Sequence, residues 1–214
     1  SPRPPRRARG WVGRLRTVAL VPAKVLAGAK SRLAAVLDEA ERAAVALDML
    51  RAVLEQLREV RNVDAYAVVT GDERAAALAG QLGAVVVAES SEGLNLALDA
   101  GRAWAVERGA EGLLVVLSDL PLVLAGDLAA VAAKEASVVI APSKDGGTNA
   151  LLLRPAGVIP FRFGRDSARY HRFEAEKRGL EVAVVDRDSL AFDVDTPEDL
   201  AVYRAARQRA LARP

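Results

Sequence analysis

Residues 113–117 read Leu-Leu-Val-Val-Leu and run straight into Ser118-Asp119-Leu120-Pro121. Five unbroken apolar residues, too few for a helix and rich in Val and Leu, predict a strand buried on both faces, as at the centre of a parallel sheet. Pro121 then stops the pairing. In open α/β sheets ligands bind outside the carboxyl ends of the strands, so Asp119 stands where chemistry is usually done. A turn cap would explain a strand-end Asp equally well. The choice between these readings depends on acids found near the other end of the chain.

Strands and helices alternate around this run. Strands are predicted at 17–21, 65–69, 84–88, 137–141 and 149–153, with helices at 38–60, 72–82, 92–108 and 126–134 and another ending near Arg178. The helix from Asp38 carries Leu47, Leu50, Leu54 and Leu57 on one stripe and is core packing. A β-α-β-α order of this kind implies a mainly parallel sheet with helices on both faces.

The 214 residues suit one sizeable core, and no run approaches the roughly 18 apolar residues of a membrane span. With no cysteine, disulfides, thiolate chemistry and Cys-based zinc sites are excluded, which fits a cytoplasmic protein. One histidine leaves little room for a His-rich metal centre or a His-driven triad. Residues 1–16 hold six arginines and no acid, and read as a disordered basic tail ahead of a single domain at 17–214. Without those six charges the net +2 becomes −4, so the pI of 9.1 belongs to the tail and does not indicate nucleic-acid binding.

Three loops hold candidate binding groups. After the first strand, Lys24, Lys30, Ser31 and Arg32 surround Gly28, a composition suited to a polyphosphate, although neither Gly-x4-Gly-Lys nor Gly-x-Gly-x-x-Gly is present. Gly146-Gly147-Thr148-Asn149 lets backbone approach a ligand and reads equally as a hairpin turn. Gly164-Arg165-Asp166-Ser167 opens a helix whose free amides and hydroxyl suit an anion, or are simply capped by Asp166 or Ser167. Asn95, near another helix start, is either a cap or a donor to a nucleotide. His171, one turn into its helix, is either exposed or turned toward the same site.

Near the end comes Phe192-Asp193-Val194-Asp195-Thr196-Pro197-Glu198-Asp199. In an extended segment Asp193 and Asp195 point the same way. Such a pair is costly without a cation, and Mg²⁺ prefers these oxygen ligands. Thr196 as N-cap, Pro197 as first helical residue and Asp199 as the return half of a capping box need no further role.

Six motifs in order now carry a resemblance: Lys24-x5-Lys30-Ser31-Arg32-Leu33, Gly93-x-Asn95-x-Ala97-Leu98, Ser118-Asp119-Leu120-Pro121, Gly147-Thr148-Asn149, Phe163-Gly164-x-x-Ser167-x3-His171 and Asp193-Val194-Asp195-Thr196-Pro197. From Thr17 to about Arg204 the chain resembles the 2-phospho-L-lactate/phosphoenolpyruvate guanylyltransferases of coenzyme F-420 biosynthesis. Ser118 replaces a glycine common in relatives. The resemblance implies a three-layer α/β nucleotidyltransferase fold, GT-A-like and nucleotide-diphospho-sugar transferase-like, with a mostly parallel central sheet. It implies Asp119, Asp193 and Asp195 as Mg²⁺ ligands and Thr148, Gly164 and Ser167 as the acceptor-phosphate site. Lys24, Lys30, Ser31, Arg32 and Asn95 are then expected to bind GTP, with Asp119, Lys30 and Arg32 as the catalytic set.

Nucleotidyl transfer needs charge neutralisation and positioning rather than a nucleophilic triad. A phosphate acceptor, with a second pKa near about 6, is already largely deprotonated at neutral pH. The expected reaction is attack of that oxygen on the α-phosphorus of GTP, with pyrophosphate leaving toward Lys24, Lys30 and Arg32. Partners are thus GTP and a small phosphorylated three-carbon acid, without nucleic acid or membrane, and a homodimer stays open. Another nucleotidyltransferase or glycosyltransferase of this fold, and a non-catalytic nucleotide-binding protein, are the alternatives.

Overall fold

The computed structural model describes residues 17–23, 30–89 and 93–211. The basic tail and Lys24 lie outside these. One seven-stranded sheet organises the described residues: β1 (Thr17–Pro22), β2 (Ala65–Thr70), β3 (Val85–Ala88), β4 (Gly112–Val116), β5 (Val138–Pro142), β6 (Thr148–Leu153) and β7 (Val182–Val184), in spatial order β3-β2-β1-β4-β6-β5-β7. The six strands expected from sequence are all present, with their ends moved by one residue or less. The short edge strand β7 is an addition.

The apolar run forms β4, every residue of it buried, flanked by β1 on one side and β6 on the other. Alternation then divides its side chains. Leu114 and Val116 join a core covered by α1 (Glu39–Glu59), α2 (Glu73–Gln81) and α4 (Ala125–Ala133). Leu113 and Val115 join the opposite core, covered by α3 (Leu94–Glu107) and α5 (Ser167–Glu176). Helix α1 starts on a capping box, with Asp38 Oδ1 accepting from the Glu41 amide at 2.8 Å and Glu41 Oε2 accepting from the Asp38 amide at 2.9 Å. Its expected stripe is buried at Leu50, Leu54 and Leu57, with Leu47 packed alongside.

All neighbouring strands are parallel except at β6, which is antiparallel to both β4 and β5. The turn between β5 and β6 is too short for a crossover, so the chain must reverse. Ser143 N donates to Gly147 O at 3.0 Å, and Gly146 sits at φ 86°, where a side chain would be strained. The hairpin reading of the paired glycines is thus correct, and it has a functional consequence. Because β6 runs backward, its first residues stand beside the last residues of β4: Ala150 pairs with Val116, and the Leu117 amide donates to Asn149 O at 3.0 Å. Thr148-Asn149 and Ser118-Asp119 therefore share one edge of the sheet.

Helices α6 (Asp188–Ala191) and α7 (Pro197–Leu211) follow β7. A third apolar cluster, including Leu33, Met49, Val194, Leu200 and Tyr203, seats α7 beside α1 and the 3-10 turn Ser31–Leu33. This packing carries the segment 193–195 back to the end of β4, where the Val194 amide donates to Asp119 O at 3.3 Å.

Candidate active site

Oxygens of Asp119, Asp193 and Asp195 lie within 4.8 Å of one another. Asp119 arrives on the turn after β4, and the other two on the extended segment before α7. That segment is fixed by Asp199, whose Oδ2 accepts from the Asp195 amide (3.2 Å), the Thr196 amide (2.9 Å) and the Thr196 hydroxyl (2.8 Å). The expected capping box is therefore present, and it also orients the carboxylates. Asn149 adds a brace, donating from Nδ2 to Leu190 O at 2.8 Å and to Asp193 Oδ1 at 3.4 Å. Sequence reasoning gave Asn149 no such role, although its adjacency to Thr148 at the strand start was the available signal.

Burial, reinforced by the charge of Asp119, pushes the Asp193 carboxyl above the usual carboxylate range, against the opposing bond from Asn149. Lys30 supplies the nearest cation, its Nζ 2.7 Å from Asp119 Oδ2 and 2.9 Å from Asp195 Oδ1. Burial opposes the charge on Lys30, but Asp119 and Asp195 outweigh it and hold the ammonium above the ordinary lysine range. Arg32 Nη1 reaches Asp195 Oδ2 at 3.3 Å from a largely exposed position. Lys30 and Arg32 were expected to face a triphosphate; here both are first of all partners of the acids.

Asp119 Oδ1 is buried and has no hydrogen-bond partner among the described residues. A buried carboxylate oxygen without a donor is unfavourable. With two further carboxylates beside it, the donor set fits a hard divalent cation.

A pocket of about 380 Å³ opens at the ends of β1 and β4. Its polar rim is Lys30, Ser31, Arg32, Ser118, Asp119 and Asp195, and its apolar wall includes Met49, Leu50 and Leu94. That volume is in the range of small-ligand sites.

The second group of predicted residues gathers at the start of α5. Ser167 Oγ donates to Thr148 Oγ1 at 3.0 Å, and Thr148 Oγ1 lies 3.1 Å from His171 Nδ1, all three residues being buried. His171 is therefore not exposed but turned toward the Thr148/Ser167 pair, and burial pushes its pKa down to about 4. Two expectations need correction. Neither Asp166 nor Ser167 caps α5 through its side chain: Asp166 is left-handed at φ 55°, and Ser167 turns to Thr148. The first two helix amides are not free either, since Ser167 N donates to Gly164 O and Ala168 N to Gly146 O, both at 3.2 Å.

Asn95 also departs from expectation. Its side chain accepts from the Phe163 amide at 2.7 Å and donates to Phe163 O at 3.2 Å, so it does not cap its own helix. It ties α3 to the loop that carries Gly164, which stands at φ 134°. The reason is reach: an amide matches the paired N–H and C=O of one extended residue.

Residues 17–203 match the family described as Guanylyl transferase CofC like. The chain is 46% identical over 192 residues to the phosphoenolpyruvate guanylyltransferase of Rubrobacter xylanophilus, covering 88% of this chain and 93% of that one. It is 36% identical over 189 residues to the 2-phospho-L-lactate guanylyltransferase of Methanothermobacter thermautotrophicus, covering 87% and 83%. Among solved structures, a nucleotidyl transferase from Methanothermobacter matches with a TM-score of 0.65 at 17% identity, covering 92% of this chain and 100% of that one. At that identity the likeness concerns the fold alone, and the fold is that of the nucleotidyltransferases. Since the family match runs from the first strand into the last helix and takes in all three clustered acids, the chain belongs to the CofC-like guanylyl transferase family.

Proposed function

We propose that this protein transfers GMP from GTP to the phosphate of a small phosphorylated three-carbon acid, with phosphoenolpyruvate preferred, releasing pyrophosphate in the cytoplasmic biosynthesis of coenzyme F-420. The observation that carries this reading is the convergence of Asp119, Asp195, Lys30 and Arg32 on one pocket at the carboxyl ends of β1 and β4, with Asp193 clustered against the two acids. The reading takes residues 17–214 as one nucleotidyltransferase domain.

In this reading the three carboxylates hold Mg²⁺, which when bound supplies the charge neutralisation that phosphoryl centres require. The remaining roles belong to the chain. Lys30, already held by two acids, is pre-oriented beside the reacting phosphates and loses little freedom when they arrive. Arg32, mostly exposed, has the planar fork that suits a departing pyrophosphate. Met49, Leu50 and Leu94 give the nucleotide an apolar wall. Thr148, Gly164 and Ser167 receive the acceptor on the neighbouring strand, where β6 starts beside the end of β4. The new bond joins the acceptor's phosphate oxygen to the α-phosphorus, and the α–β anhydride bond breaks.

The preference for phosphoenolpyruvate is supported by the higher identity to a relative named for that acceptor than to one named for 2-phospho-L-lactate. Packing alone discriminates such similar acids only about 10- to 200-fold. The test is pyrophosphate release from GTP and Mg²⁺ with phosphoenolpyruvate, 2-phospho-L-lactate and 3-phospho-D-glycerate in parallel. The expected order of kcat/KM has phosphoenolpyruvate first. A higher value for another acid replaces the acceptor, and no release with any of them overturns the reaction.

A further inference from the structure

His171 is the single histidine of the chain and is fully buried, at 0% exposure. Its ring nitrogens meet different partners. Nε2 lies 3.2 Å from the backbone nitrogen of Arg162. A backbone N–H can only donate, so Nε2 must be the unprotonated acceptor. A neutral ring then carries its proton on Nδ1, which donates to Thr148 Oγ1 at 3.1 Å. A cationic ring would set a second N–H against that of Arg162, so the same geometry keeps the ring neutral.

The hydrogens of the two hydroxyls can now be counted. Ser167 Oγ donates to Thr148 Oγ1 at 3.0 Å, which uses one O–H. His171 donates and requires none. One O–H is left, on Thr148 in this arrangement or on Ser167 if both hydroxyls rotate. Among the described residues the hydroxyl pair has no other partner. With the opposite tautomer Thr148 would donate to Nδ1, and the pair would face a ligand with lone pairs only. The tautomer therefore decides whether this pair offers a ligand a hydrogen or repels it as an anion.

We infer that His171 is a positioning residue for the acceptor: through its Nδ1–H tautomer it keeps the Thr148/Ser167 pair as a hydrogen-bond donor to an anionic oxygen of the phosphorylated acid. This rests on the reading that Thr148, Gly164 and Ser167 receive that acid, and holds for any acid of the class. Through Nε2 the same ring holds the Arg162 amide, and its edge packs on Phe163 with ring centroids 5.1 Å apart, so the loop leading to Gly164 is fixed from the same point. Both hydroxyls are buried here, and an anion reaches them with a local shift of the neighbouring loops, one tie being the 3.2 Å bond from Ala168 N to Gly146 O.

With one histidine, a long-range ¹⁵N–¹H correlation spectrum of the full-length protein contains one imidazole. The expected result is a protonated Nδ1 and a bare Nε2, unchanged from about pH 6 to 8, the reverse of the tautomer free histidine prefers. A protonated Nε2, or an imidazolium in that range, overturns the inference. In kinetics, H171L is expected to raise KM for the phosphorylated acid about tenfold or more while KM for GTP stays within about twofold. H171N, whose amide N–H can stand where Nδ1–H stood, recovers most of that loss. Equal changes in both KM values, or H171N no better than H171L, overturns it. Should H171L not fold, H171N against the wild type and the spectrum still decide. A wild type that releases no pyrophosphate with any acid defeats the proposed reaction instead, and the spectrum still reads the proton count.

Discussion

Lys30 Nζ lies 2.7 Å from Asp119 Oδ2, an ion pair that joins the loop after β1 to the turn after β4 across 89 positions of sequence. Lys30 stands in the left-handed region at φ 53° to make it, and the one other non-glycine residue with positive φ among the described residues is Asp166, at the start of α5. Left-handed backbone costs an L-residue about 1–2 kcal/mol, and such strain collects at functional sites. Lys30 therefore has a structural duty to the acids as well as any duty to a ligand, and its substitution should reveal both.

Replacing Lys30 with Met removes the ammonium shared by Asp119 and Asp195, leaving Arg32 as the cation beside Asp195 among the described residues. The pair is partly screened, the carboxylates being 25% and 39% exposed, so the expected destabilisation is ~1–3 kcal/mol, between the surface and buried limits. Thermal unfolding of K30M measures it, and adding D195N should recover part of the loss. An unchanged melting temperature in K30M would show that the pair contributes nothing to stability.

The three acids should separate in stability while agreeing in activity. D119N, D193N and D195N are each expected to abolish pyrophosphate release. D119N and D195N lose charge pairing with Lys30 and should melt lower than wild type. D193N should melt at the same temperature or higher, because burial and Asp119 already disfavour the charged form. The sign follows: a carboxyl with a raised folded pKa penalises the fold above that pKa, and the penalty fades as pH falls through it. Differential scanning calorimetry of D193N against wild type near pH 7 and near pH 4 tests this, with the gap between them narrowing at the lower pH.

His171 predicts a different pH dependence. Its folded pKa is depressed to about 4 from the ordinary 6.5, so the unfolded chain binds the extra proton first. Stability is then complete above about pH 6.5 and declines as pH falls toward 4, by at most roughly 3 kcal/mol from this residue. Urea unfolding of wild type and H171L across that window should show the slope in the first and not the second. Parallel slopes would mean that His171 is protonated at little cost.

Gly101 in α3 tests the packing beneath the site. A Cβ there would stand 2.7 Å from Val69 Cγ2 and 2.9 Å from Leu20 Cδ1. Alanine gains about 1 kcal/mol of helix propensity, yet overpacking costs about 1–3 kcal/mol, and a stiff Val in a buried strand yields poorly. G101A is expected to unfold at lower urea concentration than wild type. A midpoint at or above that of wild type would show that the α3–sheet contact can relax.

The sequence by itself determined six of the seven sheet strands, the long capped helix, the buried central strand and the three acids. These follow from local rules, since apolar runs, caps and turn residues act over a few positions of chain. It also carried the family, because six motifs in order survive without coordinates. Only the tertiary structure decided how the groups face one another. The reversal of β6, forced by a five-residue turn, brings Thr148 and Asn149 beside Asp119. The left-handed Lys30 turns its ammonium onto two acids rather than outward. Asn95 meets Phe163 across 68 positions, and Ser167 prefers a hydroxyl of β6 to its own helix end. Each is a choice among partners of similar strength, and which partner comes within about 3 Å is set by the packing of the whole sheet, which no window of sequence contains.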